Sequence, residues 1–446
     1  MFYLIGLGGV LGYAALQYGA VDRDDWLYCS IILGLLAIVY YAVTRRRELA
    51  PKIEPWIYWP LVLLPCYIAL QLIPLPAGLL RMVSPQRAEH LRALGAAGFA
   101  SLSVVPSVTL AHLLRVLGYA ATFLIVREIT WRRTTRTWTL VLPIIIVAVF
   151  EAAYGLLLFF QGIEPQDSAH GTYMNRNHFA GLLEMALPPA IMGAVAIWRK
   201  TRSTISTLPV CAMLAASALV LVGIIYSFSR MGFVACILSL FLTGVLALRN
   251  RVSKKWLAGG LVLCLALLAF IYLPPDQLIE RFGKLWDGDE LTTEGRLYIW
   301  EEALPLLKSY ALSGCGLGGF ESVFSQYQRS VTDRKVDFAH NDYLQYLVEL
   351  GAIGFLIAAI LIGCIFVRGW RERNMDEESE EHALAIGCIA SLAAILIHSF
   401  VDFNLYVPAN AMTMAWILGI TAGLGFHSSK EQARINKHQW IDIKPI

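Results

Sequence analysis

The chain has 446 residues, of which 57% are hydrophobic and only 15% charged, against roughly a quarter charged in soluble domains. With a mean hydropathy of +0.59, that balance excludes a soluble globular protein. The net charge of +3 says little about partners, and no nucleic-acid partner is expected.

A helix needs about 20 mostly apolar residues to cross the hydrocarbon. Stretches of that kind run near 2–20, 27–43, 56–73, 109–126, 138–160, 178–197, 208–227, 232–248, 257–273, 343–367, 383–401 and 408–426. Lipid cannot satisfy backbone N–H and C=O groups, so spans this apolar must be helices. The expected fold is therefore all-α: one polytopic domain, 1–446, of about twelve spans. Pro65, Pro143 and Pro188 fall inside spans and are expected as kinks. The first stretch has no basic n-region and no small-residue cleavage site, and so reads as a retained span. Seven of the eight cysteines lie in spans and only Cys315 in a loop, so no disulfide framework is expected. No Cys/His spacing suggests zinc, and no metal or cofactor is expected.

Lys and Arg in short loops mark the cytoplasmic side. Six alternate segments, at 45–52, 127–136, 199–202, 249–255, 368–373 and the tail 427–446, hold 22 of the 36 basic residues. This unbroken alternation places both termini in the cytoplasm. The opposite face receives 20–26, 74–108, 161–177, 228–231, 274–342 and 402–407. The 274–342 loop is too long for a plain connection. Within it, Thr292-Thr293-Glu294 resembles a helix start. Leu297, Trp300, Leu304 and Leu307 then follow at helical spacing, as on a helix lying apolar side down on the membrane surface.

Four polar clusters on that outer face bear on chemistry. Asn175-Arg176-Asn177-His178 opens the sixth span as an anion site at a helix N-terminus, or as an interfacial cap with a snorkelling arginine. Ser227-Phe228-Ser229-Arg230-Met231-Gly232 is a tight turn that sets Arg230 at the membrane rim, for binding or for snorkelling. Gly295-Arg296 starts the surface helix, where Arg296 adds to the helix dipole or is simply solvated. Phe338-Ala339-His340-Asn341-Asp342-Tyr343 stands where the long loop re-enters the membrane. Histidine exchanges a proton near neutral pH, and Asp342 is close enough to influence His340; a structural histidine is the alternative. Asp287-Gly288-Asp289 reads as a solvated acidic turn, and the glycine-rich 314–320 as a tight, adaptable loop. His398 and Asp402 read as helix-packing polar contacts.

Arginines and one histidine gathered on an outer face suit a diphosphate ligand and a general base. Without ATP on that face, the donor must arrive activated, as in a polyprenyl-diphosphate sugar. No carboxylate pair at glycosidase spacing is evident.

The stretches Gly171-Thr172-Tyr173-Met174-Asn175-Arg176-Asn177-His178-Phe179-Ala180-Gly181, Phe228-Ser229-Arg230-Met231-Gly232, Gly295-Arg296-Leu297, Phe338-Ala339-His340-Asn341-Asp342-Tyr343-Leu344-Gln345 and Val401-Asp402-Phe403-Asn404 together resemble the O-antigen ligase and polymerase (Wzy_C) family. That family is similar to the helical GT-C glycosyltransferases, is metal-independent, and is found in bacterial inner membranes. The resemblance implies periplasmic transfer of glycan from an undecaprenyl-diphosphate donor, with inversion, to a lipid-linked or lipid A-core acceptor. By it, Arg230 and Arg296 grip the diphosphate and His340 activates the acceptor hydroxyl. Arg176, His178, Asn341 and Asp342 line the substrate. Two departures stand out: Met231 where a small residue is usual, and Asp342 where many members carry Thr. Ligase and polymerase stay open. So do a transporter or flippase of lipid-linked glycan, which would show buried charges midway in several spans and a repeat, neither evident, and a non-catalytic assembly subunit.

Overall fold

The computed structural model describes residues 2–44, 52–93, 95, 98–133, 135–162, 168–200, 207–247, 293–329, 335–372 and 379–425. The membrane-crossing bundle comprises α1 (Phe2–Leu16), α2 (Arg23–Thr44), α3 (Pro55–Leu70), α6 (Pro106–Arg132), α7 (Leu142–Phe160), α8 (Arg176–Lys200), α9 (Thr207–Tyr226), α10 (Arg230–Ala247), α13 (Asp342–Glu372), α14 (Glu380–His398) and α15 (Pro408–Gly423). Eight of these are long and apolar enough to cross a membrane, and α1 and α3 are shorter apolar helices. The chain is thus a multi-pass helical membrane protein. The 257–273 stretch, the 249–255 segment, Asp287-Gly288-Asp289 and the 427–446 tail lie outside the described residues. Pro143 is no kink: Thr137–Leu140 form a separate 3₁₀ turn, and Pro143 sits in the first turn of α7, where its missing N–H costs nothing.

Helix α8 is the axis of the bundle. Its most apolar window is 89% buried, against 22% for α2 and α13. Lipid provides no hydrophobic drive between helices, so close packing of small residues must supply the adhesion. Gly387 of α14 accordingly lies against Pro189 of α8, and Gly419 of α15 against the Phe123 carbonyl of α6; a Cβ there would come within 2.8 and 2.7 Å.

The expectation that spans carry no buried charge is overturned. Glu151, Glu184 and Glu349 are each 0% exposed, and Arg127 and Glu128 are buried near the end of α6. Each glutamate is held by partners of its own. Glu151 accepts from the backbone N–H and hydroxyl of Thr172, and Glu184 pairs with His398 at 3.1 Å. Glu349 accepts from Gln345, Tyr406 and the N–H groups of Gly318 and Phe320.

Glu349 also marks a break. Gly351 (φ 63°, ψ −177°) interrupts α13 with a backbone that only glycine adopts readily. Carbonyls orphaned there accept from the glycine-rich loop, as Cys315 N–H donates to Val348 and Gly316 N–H to Glu349. The tight loop expected at 314–320 is therefore the plug of a broken helix.

At one end of the bundle, α4 (Ala77–Val83), α5 (Pro85–Ala93), α11 (Thr293–Ser309) and α12 (Phe320–Phe324) pack together. A two-residue strand pair, Leu75–Pro76 with Phe99–Ala100, ties the first of these segments. Ile299, Ala303 and Leu306 of α11, with Tyr310 just after it, form a separate small core with Phe320, Phe324 and Ala339. Helix α11 is thus apolar on two sides. The stripe read from sequence leaves Leu297 and Leu304 exposed, while Ile299, Ala303 and Leu306 face the protein. The opposite end of the bundle gathers Arg368 with Glu54 and Thr137 with Glu380.

Candidate active site

Three chain segments far apart in sequence meet around one carboxylate. Asp402 follows α14 and is 0% exposed. Its Oδ1 lies 3.5 Å from His178 Nε2 and 3.8 Å from His340 Nδ1, ion-pair contacts longer than a hydrogen bond. Burial works to raise the Asp402 carboxyl, but the two imidazoles and the nearby Arg296 outweigh it and hold the group well below the usual carboxylate range. Phe403 wedges between the two rings, edge-on to His178 at 4.6 Å and to His340 at 4.9 Å. It also stacks on Phe338 at 4.1 Å.

Each imidazole is positioned by its own element. His178 lies in the first turn of α8, where Asn175 Oδ1 accepts the Asn177 N–H, an N-cap favoured for its side-chain oxygen. Asn410 donates to the His178 carbonyl and to Asn404 Oδ1. Tyr173 donates to Asn410, closing a buried polar network. Arg176 opens α8 half-buried.

His340 is held differently. Its φ is 48°, a left-handed conformation that costs a non-glycine residue energy and persists only where surroundings enforce it. Those surroundings are visible at Ala339, whose N–H donates to Gln345 Oε1 and whose carbonyl accepts from Trp300 Nε1. Trp300 stands one turn after Arg296 on the same face of α11. Arg296 donates to the Val401 carbonyl at 2.5 Å. One helix face therefore clamps both the His340 and the Asp402 segments, leaving Arg296 beside the carboxylate.

The remaining sequence candidates divide. Asn341 caps α13, its Oδ1 accepting the Leu344 N–H at 3.0 Å. Asp342 is 1% exposed. Its Oδ2 accepts from Ser399 Oγ and the Leu405 N–H, and its own N–H donates to the carbonyls of Ser399 and Asp402. Both are turned into the scaffold beneath His340. Arg230 opens α10, where Ser229 Oγ accepts the Gly232 N–H. Gly232 packs on Ala180, within the turn of α8 that carries His178; a Cβ there would fall 2.6 Å from Ala180 Cβ.

Asp402 is the residue sequence reasoning placed elsewhere, as a helix-packing contact. Its Asp402-Phe403-Asn404 context carried a signal, since all three side chains contact the His178 or His340 environment. Among the described residues, no group of three or more His, Cys, Asp or Glu is placed to hold a metal ion.

Chemically, the arrangement offers an imidazole with one edge open, a closed carboxylate behind it, and a guanidinium alongside. The His340 side chain is 17% exposed, against 1% for Asp402. An imidazole backed by a carboxylate is held in one orientation and stabilised once it gains a proton.

Residues 215–359 match the family model described as O-antigen ligase, Wzy_C. That range includes Arg230, Arg296 and His340. The exopolysaccharide production protein ExoQ of Rhizobium meliloti is 24% identical over 194 residues, or 42% of each chain. The chain thus matches under half the length of that relative.

Proposed function

We propose that this chain, whose residues 215–359 match the O-antigen ligase (Wzy_C) family model, is a metal-independent, inverting glycosyltransferase of surface polysaccharide synthesis. It works at the periplasmic face of the bacterial inner membrane, with an undecaprenyl-diphosphate glycan as donor. His340 removes the proton of an acceptor hydroxyl, whose oxygen attacks the anomeric carbon from the face opposite the diphosphate. The anomeric C–O bond to the diphosphate breaks, the configuration inverts, and the leaving polyprenyl diphosphate keeps the bonding pair. Arg230 and Arg296 stabilise that charge. The guanidinium fork suits phosphate oxygens, and such donors act most strongly in a water-poor site. Asp402 orients His340 and stabilises its protonated form, while His178 holds the other side of Asp402.

The single observation that carries this reading is the Asp402 carboxylate buried against His340, with Arg296 docked on the adjoining carbonyl. The decisive experiment reconstitutes the purified protein with a lipid-linked glycan and a lipid-linked acceptor and measures transfer. His340→Ala is expected to lower the rate by about 10³–10⁴-fold, the upper part of the range for removing a general base. Wild-type transfer by that variant would overturn the mechanism. A gel of surface polysaccharide from a deletion strain separates the acceptors: single-repeat products mark a polymerase, unattached long chains a ligase.

Transport remains the second reading because charge is buried in several spans. Those glutamates, however, are each committed to a local partner, with no run of them along a path. Labelled lipid-linked glycan crossing proteoliposomes that contain this protein alone would favour transport.

A further inference from the structure

A cavity of about 600 Å³ lies within the bundle between α3, α6, α13 and α15, a size typical of small-molecule sites. Its walls are mostly hydrocarbon, with Leu61, Phe123, Phe355 and Met414 among them. Three ionisable side chains besides tyrosines reach it: Arg115, His112 and Asp342. His112 packs on the Tyr406 ring at 5.5 Å and beneath Gly318. Asp342 gives one carboxylate oxygen to Ser399 and Leu405. Arg115 is different. Its guanidinium lies over the Trp26 ring at 4.4 Å, yet its Nε is buried with no hydrogen-bond partner. Among the described residues no carboxylate pairs with it.

Arg115 sits nine residues after Pro106, the first residue of α6, roughly 13 Å along the helix at 1.5 Å per residue. An arginine inside a span is costly and, by default, marks a ligand or ion pathway. A helical side chain leans toward the N-terminus of its helix, which for α6 is the end nearer the candidate site. An apolar chamber with one unpaired cation complements a hydrocarbon chain bearing an anionic head. A soluble anion would find no reason to enter such walls. The cavity roof, formed by Asp342, Ser399, Leu405 and Tyr406, is the layer directly beneath Asp402 and His340.

A transferase that joins two lipid-linked glycans must seat two lipids at once, and Arg230 and Arg296 serve only the diphosphate at the breaking bond. We propose that this cavity holds the hydrocarbon chain of the acceptor lipid, with its phosphate on the Arg115 guanidinium. The acceptor role rests on the transferase reading; lipid binding does not.

Native mass spectrometry of the full-length protein in detergent, titrated with undecaprenyl phosphate, tests the seat directly. Wild type is expected to take up two lipids. Arg115→Gln should weaken one of the two by about tenfold or more, as loss of a charge-assisted contact implies, and Arg115→Lys should restore most of it. Ala358→Phe, which fills the cavity without touching charge, should remove the same lipid. In the transfer assay Arg115→Gln should raise KM for the acceptor about tenfold with little change in kcat. A single lipid on wild type, or two undiminished lipids on both Arg115→Gln and Ala358→Phe, would overturn the proposal. Equal displacement by phosphatidylglycerol would also overturn it, by making the cavity a general phospholipid seat. Two specific lipids without transfer would sink the transferase reading and leave the seat standing; transfer with one lipid would do the reverse.

Discussion

Six residues apart on α8, His178 and Glu184 belong to two groupings that share a chemistry but differ in access. His178 faces Asp402 with His340 on the other side. Glu184 faces His398 at 3.1 Å, and both side chains are 0% exposed. Each is a carboxylate against an imidazole, and each ties α8 to the end of α14 or the loop after it. In the outer grouping one imidazole keeps an open edge and a guanidinium stands beside it. In the inner grouping nothing from outside reaches either partner. An acid–histidine pair is therefore no signature of catalysis by itself; the open edge and the neighbouring cation make the difference.

The largest effect expected from testing that contrast is at Asp402. Asp402→Asn keeps the shape but removes the charge that orients and stabilises His340, and should slow transfer by about 10²–10⁴-fold. It should also alter the pH profile of the rate, which a purely structural loss would leave in shape. The same substitution has a stability consequence with a definite sign. The folded carboxyl lies well below its usual range because two imidazoles and Arg296 favour the ionised form over the penalty of burial. Stability from that ionisation is fully present above the ordinary aspartate value near 3.9 and is lost as the pH falls through the lower folded value. The gap in detergent melting temperature between wild type and Asp402→Asn should thus be present at about pH 5 and close in stronger acid. A gap that persisted unchanged into strong acid would contradict the assignment of Asp402 as the ionised partner.

The inner grouping should answer in the opposite currency. Glu184→Ala leaves His398 without its partner inside the bundle, and breaking such a pair costs about 3–5 kcal/mol of stability. Thermal or denaturant unfolding in detergent measures that loss. The fraction that stays folded should transfer glycan far better than Asp402→Asn does. If Glu184→Ala instead retained full stability and lost transfer, the two groupings would not divide as structure and chemistry.

These differences bear on what a sequence can reveal. The spans were legible because membrane crossing is written in each residue's own hydrophobicity, and eleven of the twelve expected stretches coincide with described helices. Arg230 and His340 were legible as polar exceptions at predicted span ends, and Arg296 as one at the start of a predicted surface helix. Asp402 was noticed but taken as a packing contact, because His178 and His340 lie far from it along the chain and only tertiary folding brings them together. Glu184, Glu349 and Arg115 were passed over since a lone charge in an otherwise apolar stretch barely alters its hydropathy, although its burial governs what packs around it. Helix α11 was legible only in part for a related reason. Leu297 and Leu304 mark one apolar side, Ile299 and Leu306 another, and periodicity alone does not say which meets protein.

The smallest effect expected is also the sharpest divider. Replacing both inner partners together, Glu184→Leu with His398→Leu, removes two polar groups from a site where neither reaches water. Desolvating such a pair already offsets much of its attraction, so apolar replacement of both partners is often neutral or stabilising. The double variant should therefore melt within about 1 kcal/mol of wild type, or above it, even though Glu184→Ala alone is strongly destabilised. Transfer activity should stay near the wild-type rate, because His340, Asp402 and Arg296 are untouched. A double variant as unstable as the single one would mean that the pair specifies how α8 meets α14, since its removal then costs more than its burial. A stable but inactive double variant would instead join the two groupings into one proton-handling system running down α8.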